Sequence, residues 1–172
     1  MKLSICRTTL HIIMIALSLS LFVSGCTDNN HRGGDSLDGS EMFDELYDHQ
    51  LATELGADKY GMRTYIMAFL KTGPNRDHDP ETAREIQRGH MENINSLANE
   101  GTLILAGPFL DGGELRGIFL FDVETIEEAR ALTETDPAIQ AGRLAMELHR
   151  WYGSAALMKV PNIHRTISKE MP

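Results

Sequence analysis

A chain of 172 residues with a formal net charge of −9 has room for one domain plus a targeting segment, and scarcely for two domains. Its acidity argues against a nucleic-acid surface or docking on anionic lipid, because both rely on clustered lysine and arginine. Both cysteines, Cys6 and Cys26, fall near the front, so the body of the chain forms no internal disulfide, no thiolate zinc site and no cysteine nucleophile.

Residues 1–25 read as a leader. Lys2 and Arg7 make a positive start, Leu10 to Val23 an apolar stretch too short for a confident membrane span, and Val23-Ser24-Gly25-Cys26 has the form of a bacterial lipobox. The expectation is cleavage before Cys26 and lipidation of that residue. The mature chain would then be anchored in a bacterial cell envelope, on the periplasmic or outer-membrane side; the plainer alternative is a secretory peptide with a chance cysteine. Thr27 follows Cys26, which by resemblance to enterobacterial sorting permits transfer to an outer membrane. Residues 26–40 are Gly, Ser, Asp and Asn with almost nothing apolar and read as a flexible tether.

Residues 41–62 change character. Met42, Phe43, Leu46, Tyr47, Leu51 and Leu55 form a helical stripe over 41–55, with Ser40 as N-cap and Gly56 as stop. Such a stripe packs on its own domain or docks a partner.

From Arg63 to Tyr152 the chain reads as a domain. Arg63 to Leu70 is strand-like, Lys71 to Asp79 a Gly-Pro loop, and Asp79-Pro80 starts a helix that runs to about Asn99 and stops at Gly101. Thr102 to Ala106 is a short apolar strand ending in Gly107-Pro108, and Asp111 to Glu114 turns the chain into a third strand, Leu115 to Val123. Thr125-Ile126-Glu127-Glu128 has capping-box form, Asp136-Pro137 repeats the cap-plus-proline start, and Arg143 to Tyr152 reads as a fourth strand. Residues 153–172 read as a tail with apolar pieces at 155–160. The order β-α-β-β-α-β implies an α+β, ferredoxin-like sandwich: four antiparallel strands with both helices on one face. The other face needs a cover, either a second copy's sheet or, in part, residues 41–55 or the tail.

One residue stands out. Ile86, His90, Ile94 and Leu97 recur at helical spacing, so a histidine sits on a core-facing stripe. It is either a satisfied structural group or a placed chemical one. A carboxylate beside it would fix its tautomer and raise its basicity, giving a general base. Asp136, which also reads simply as an N-cap, opens a turn just before the strand expected next to the first. Gly107 permits close backbone approach, and the Phe109 amide is a candidate donor to a developing oxyanion. Arg143 either neutralises an acidic ligand or, alternating with Glu147, belongs to an exposed charged face. Trp151 and Tyr152 are expected in the core or in contacts between copies. The remaining histidines share no ligand spacing, and phosphate loops, dinucleotide fingerprints and nucleophile elbows are absent, so neither metal nor cofactor is expected.

The helix with Gln87 and His90, the segment Gly101-Thr-Leu-Ile-Leu-Ala-Gly-Pro108, Gly117, the acidic helix start at Glu124 to Ala129, and Asp136-Pro137 followed by Ala141-Gly142 together resemble the YCII-related domain family. The resemblance spans 63–152. It implies a dimeric α+β barrel of the muconolactone-isomerase-like group, and a histidine–aspartate active site whose matching positions are His90 and Asp136. The lipobox, tether and leading helix depart from the family pattern. The expected function is a cofactor-free enzyme that moves a proton on a small organic compound, in an isomerisation, elimination or lactone-type reaction, as a homodimer. The alternatives are a non-catalytic small-ligand-binding module and a structural envelope lipoprotein.

Overall fold

The computed structural model describes Asp44 and residues 46–170. The leader, Cys26, the tether, Ser40, Met42 and Phe43 lie outside the described residues. The elements in order are α1 (His49–Glu54), β1 (Met62–Thr72), α2 (Pro80–Glu100), β2 (Leu103–Pro108), β3 (Leu115–Phe121), α3 (Ile126–Thr133), the single turn α4 (Pro137–Gln140), β4 (Leu144–Ser154), a 3-10 turn (Ala155–Lys159) and α5 (Val160–Ile167). Short polar residues set most of the boundaries. Asp79 accepts from the amides of Glu81 and Thr82 at the head of α2, and Gly101, at φ +82°, ends that helix in the left-handed conformation. Thr125 and Glu128 close a reciprocal capping box on α3.

The strands form one antiparallel sheet in the order β2-β3-β1-β4. This is the α+β, ferredoxin-like arrangement expected from the sequence. The central strand, β1, pairs with β4 along its whole length, from Met62 opposite Ser154 to Thr72 opposite Leu144. Its pairing with β3 slips: Leu70 faces Gly117 but Lys71 faces Leu115, so Arg116 is an extra residue, a β-bulge.

One face of the sheet holds the main core. Ile66, Ala68 and Leu70 of β1, Phe119 and Phe121 of β3, and Leu103 of β2 pack against Leu97 of α2 and Ala129 of α3. Leu144, Met146 and Leu148 of β4 complete it. Ile66 and Phe121 are 0% exposed, and each such side chain contributes about 1.5–3 kcal/mol relative to an exposed one.

The opposite face buries Tyr65, Ile104 and Leu120 under Leu157 and Met158. The segment expected as a tail therefore folds. It crosses this face as the 3-10 turn and continues as α5, which lies beside α2 and β2. The described residues between 46 and 55 do not supply that cover. Tyr47 and Asp48 break the expected helix, because the Asp48 carboxylate accepts from the Leu51 amide at 2.9 Å and starts a new helix at His49. Among the described residues of the stripe, Leu46, Tyr47 and Leu51 are exposed and Leu55 is buried, with its carbonyl held by Arg63 Nη1 at 3.0 Å. The favoured expectation for the stripe, that it packs as a helix on its own domain, is corrected here for these residues.

Candidate active site

His90 lies on the inner face of α2, where the residue is 9% exposed and its ring lies nearly parallel to that of Phe119, with ring centroids 6.1 Å apart. Its Nδ1 is 2.7 Å from Oδ2 of Asp136. Asp136 is 0% exposed and is also the N-cap of α4, its Oδ1 accepting from the Ala138 amide at 2.8 Å. Cap and histidine partner are compatible, because a carboxylate has two oxygens and each does one job. A neutral imidazole bonded to a carboxylate through Nδ1 carries its proton there, which leaves Nε2 as an acceptor.

The close approach of α4 to α2 depends on Gly89. A Cβ on that residue would sit 3.0 Å from Cγ of Pro137, so the missing side chain is what admits the proline ring and, with it, the adjacent Asp136. The helix stripe thus positions the histidine, and one glycine beside it positions the carboxylate.

His90 opens onto a cavity of about 420 Å³ between α2 and the ends of β1, β2, β3 and β4. Its body is apolar, made by Leu70, Ile86, Met91, Ile94, Phe119 and Leu144, and its charged wall is Arg76, Arg116 and Arg143. Gly107 lines the cavity, and a Cβ there would meet nothing within 4 Å. Gly117, across the ladder, is constrained: a Cβ would lie 2.6 Å from the Gly107 carbonyl oxygen.

The structure corrects the role expected of Phe109. Its amide donates to the Arg116 carbonyl at 2.9 Å, continuing the β2–β3 ladder past Pro108. The amide is therefore engaged, and the side chain, 41% exposed, lies off the cavity wall. Arg143 and Glu147 do not share a face as the alternation suggested. Arg143 precedes β4, where the backbone leaves Gly142 at φ +67°, and it lines the cavity. Glu147 sits on the far face of the sheet with Lys71 and His149, and the Lys71 ammonium, then His149, hold its carboxyl below the usual carboxylate range. Trp151 packs on Tyr65, 5.9 Å between centroids, and Tyr152 bonds Asp58; neither touches the cavity.

Two charged lining residues escaped the sequence reading, Arg76 and Arg116. Strict alternation places Arg116 on the same face as Ile118 and Leu120, and the bulge re-aims it to the cavity side. The signal available was an arginine inside the apolar run Leu115 to Phe121. Arg76 carried none. Among the described residues no group of three His, Cys, Asp or Glu is placed to hold a metal.

The sequence profile of the YCII-related domain matches residues 64–151. A relative, the uncharacterized protein YjpA of Bacillus subtilis (strain 168), is 28% identical over 91 residues, covering 52% of this chain and 95% of YjpA. Among solved structures, the 5-chloro-2-hydroxyhydroquinone dehydrochlorinase TftG from Burkholderia phenoliruptrix AC1100, in complex with 2,5-dihydroxybenzoquinone, is 18% identical. That match covers 50% of this chain and 92% of TftG, with a TM-score of 0.39.

Proposed function

We propose that this chain, which belongs to the YCII-related domain family, uses His90 as a general acid and base on a small organic compound held in the cavity. The observation that carries the reading is the 2.7 Å bond from His90 to a carboxylate with no exposure, set in the wall of a cavity of small-molecule size. Nε2 takes a proton from a carbon or hydroxyl of the bound compound. The charge on the ring then faces Asp136, which already fixes its tautomer and orientation. Return of the proton at a second position gives an isomerisation, departure of a leaving group an elimination, and opening of a ring ester a lactone-type reaction. The chain's own residues supply the proton chemistry without a cofactor.

The test is deuterium incorporation from heavy water into a panel of enolisable ring ketones, lactones and hydroxy acids, followed by proton NMR. The expected result is incorporation that falls about 10²–10⁴-fold in His90→Gln and substantially in Asp136→Asn. Incorporation unaffected by His90→Gln overturns the reading. Binding without exchange for every compound leaves the non-catalytic ligand-binding module in its place.

The same proposal holds two copies together through the sheet face opposite the helices. What supports it is that Trp151 and Phe69 remain partly exposed there, beyond the reach of the 3-10 turn. It also anchors the domain at a bacterial envelope through Cys26, and the lipobox is what supports that step. Labelling the chain with a fatty-acid probe in a bacterial host, beside Cys26→Ser, tests the anchor.

A further inference from the structure

The cavity and the chain carry opposite charge. In a chain of formal charge −9, the charged side chains on the cavity wall are Arg76, Arg116 and Arg143, and no Asp, Glu or Lys lines it. We propose that the cavity takes a small organic anion: a carboxylate on an apolar ring, with the carboxylate held by Arg116 and Arg143, Arg76 closing the exposed side, and the ring lying against Phe119 and Ile94. This deepens the reading of the cavity as a substrate site, and it stands whether or not His90 moves a proton.

Three observations carry it. First, the arginines are not neutralised: among the described residues none of the three has a carboxylate within 4 Å. Second, most of their donors are unused. Arg76 Nη1 donates to the Arg143 carbonyl at 3.1 Å and Arg116 Nη1 to the Gly113 carbonyl at 3.3 Å. Arg143 makes no side-chain hydrogen bond among the described residues. A guanidinium has five N–H groups in a planar fork that fits a carboxylate with two parallel bonds.

Third, the backbone that presents them is built for the purpose. The loop after β1 is stitched to the start of β4: the Gly73 amide donates to the Arg143 carbonyl and the Asn75 amide to the Gly142 carbonyl, both at 2.9 Å, and Asn75 Nδ2 reaches the Ala141 carbonyl at 3.1 Å. A Cβ at Gly73 would fall 2.2 Å from the Gly142 carbonyl oxygen, so this stitching requires glycine. It fixes Arg76 and Arg143 relative to each other, and the β3 bulge turns Arg116 toward them from the opposite side. Three cations gathered from three separate segments, without a counter-ion from the protein, repel one another. An anion that relieves this repulsion binds there with that much more advantage.

The experiment is an NMR titration of the full chain with benzoate and, separately, with its neutral counterpart benzamide, following the amides of Gly107, Gly117 and Phe119. Benzoate is expected to bind about tenfold or more tightly than benzamide, and to weaken as salt is raised while benzamide does not. Arg116→Gln and Arg143→Gln are each expected to weaken benzoate about tenfold, with Arg143→Lys, which keeps the charge and loses the fork, falling between. Arg88→Gln, at an exposed arginine of α2 that pairs with Glu92 and does not line the cavity, keeps benzoate within about threefold. Thermal melts of each variant show that the fold persists.

Equal affinity for benzoate and benzamide overturns the proposal. So does benzoate binding that both arginine variants leave unchanged, or the absence of benzoate binding at millimolar concentration. Arginine-dependent benzoate binding in a chain that exchanges no proton with any compound leaves the anion site standing and removes the acid–base reading. Proton exchange confined to neutral compounds does the reverse.

Discussion

Two Asp-Pro helix starts occur in this chain, and they differ in what the second carboxylate oxygen does. Asp79 and Asp136 both precede a proline at the first helical position, and both use Oδ1 to accept from backbone amides of the first turn. At the head of α2, Oδ2 of Asp79 is taken by the hydroxyl of Thr82, three residues on, at 2.6 Å. At the head of α4 the residue three on is Ile139, which has no hydroxyl to offer, so Oδ2 of Asp136 is left to His90. One start is exposed and closed on itself; the other is buried and reaches across to a different helix. A capping motif becomes part of a site when its own turn leaves an oxygen unclaimed and a neighbouring element comes close enough to claim it.

The comparison breaks most visibly at Asp136. Asp136→Ala removes a cap, worth about 1 kcal/mol, and strands the buried Nδ1–H of His90 at about 1–3 kcal/mol, so a loss of about 2–4 kcal/mol is expected from urea unfolding. Asp79→Ala, where water replaces the lost contacts, is expected to cost less; equal losses would make the two starts equivalent and dissolve the distinction.

A subtler change is Gly89→Ala. Helix propensity gains about 1 kcal/mol, while crowding of the Pro137 ring costs about 1–3 kcal/mol, so stability is expected to move little. The distance between α2 and α4 is what changes. Loss of the His90 Nδ1–H resonance in a ring-directed ¹⁵N NMR spectrum, with the fold intact, is the expected sign that the pair has opened.

The smallest effect belongs to the exposed start. The Thr82 hydroxyl first, and then the first-turn amides, hold the Asp79 carboxyl below its usual range. A carboxyl lowered by folding stabilises the native state above its ordinary value, about 3.9, and that contribution is lost as the pH falls through the lowered native value. Asp79→Asn is uncharged throughout. Its unfolding midpoint is expected below that of the parent chain at neutral pH, with the gap closing on acidification. A gap that stays constant with pH would show that the charge at this cap is immaterial.

These contrasts also mark what the sequence made legible. The strand and helix order could be read because its punctuation is local: Asp-Pro, Gly-Pro, a capping box and a glycine stop each act within a turn. His90 could be singled out because a polar residue interrupts an apolar stripe. Its pairing with Asp136 came from resemblance, and the freedom of the second oxygen at Asp136 follows from Ile139, a local fact whose meaning appears only beside Thr82. Arg116 was illegible because a bulge is a property of two strands in register, and alternation within β3 assigns that side chain to the wrong face. Phe109 failed for a similar reason: whether an amide is available depends on where the partner strand ends, and here the ladder runs one residue past the proline. The stripe at 41–55 was read as continuous because periodicity does not register a competing cap such as Asp48.

The central place of β1 has a consequence for how the chain is made. Among the described residues it is the first strand to be synthesised, and neither neighbour exists when it appears: β3 begins at Leu115, and β4, which pairs with it from end to end, at Leu144. Until β3 appears, its apolar run, Tyr65 to Leu70, has two open edges. Strand partners this far apart in sequence make for slow assembly, and an unpaired apolar strand is a template for pairing between chains. Protection during synthesis matters most, in this chain, at that one strand.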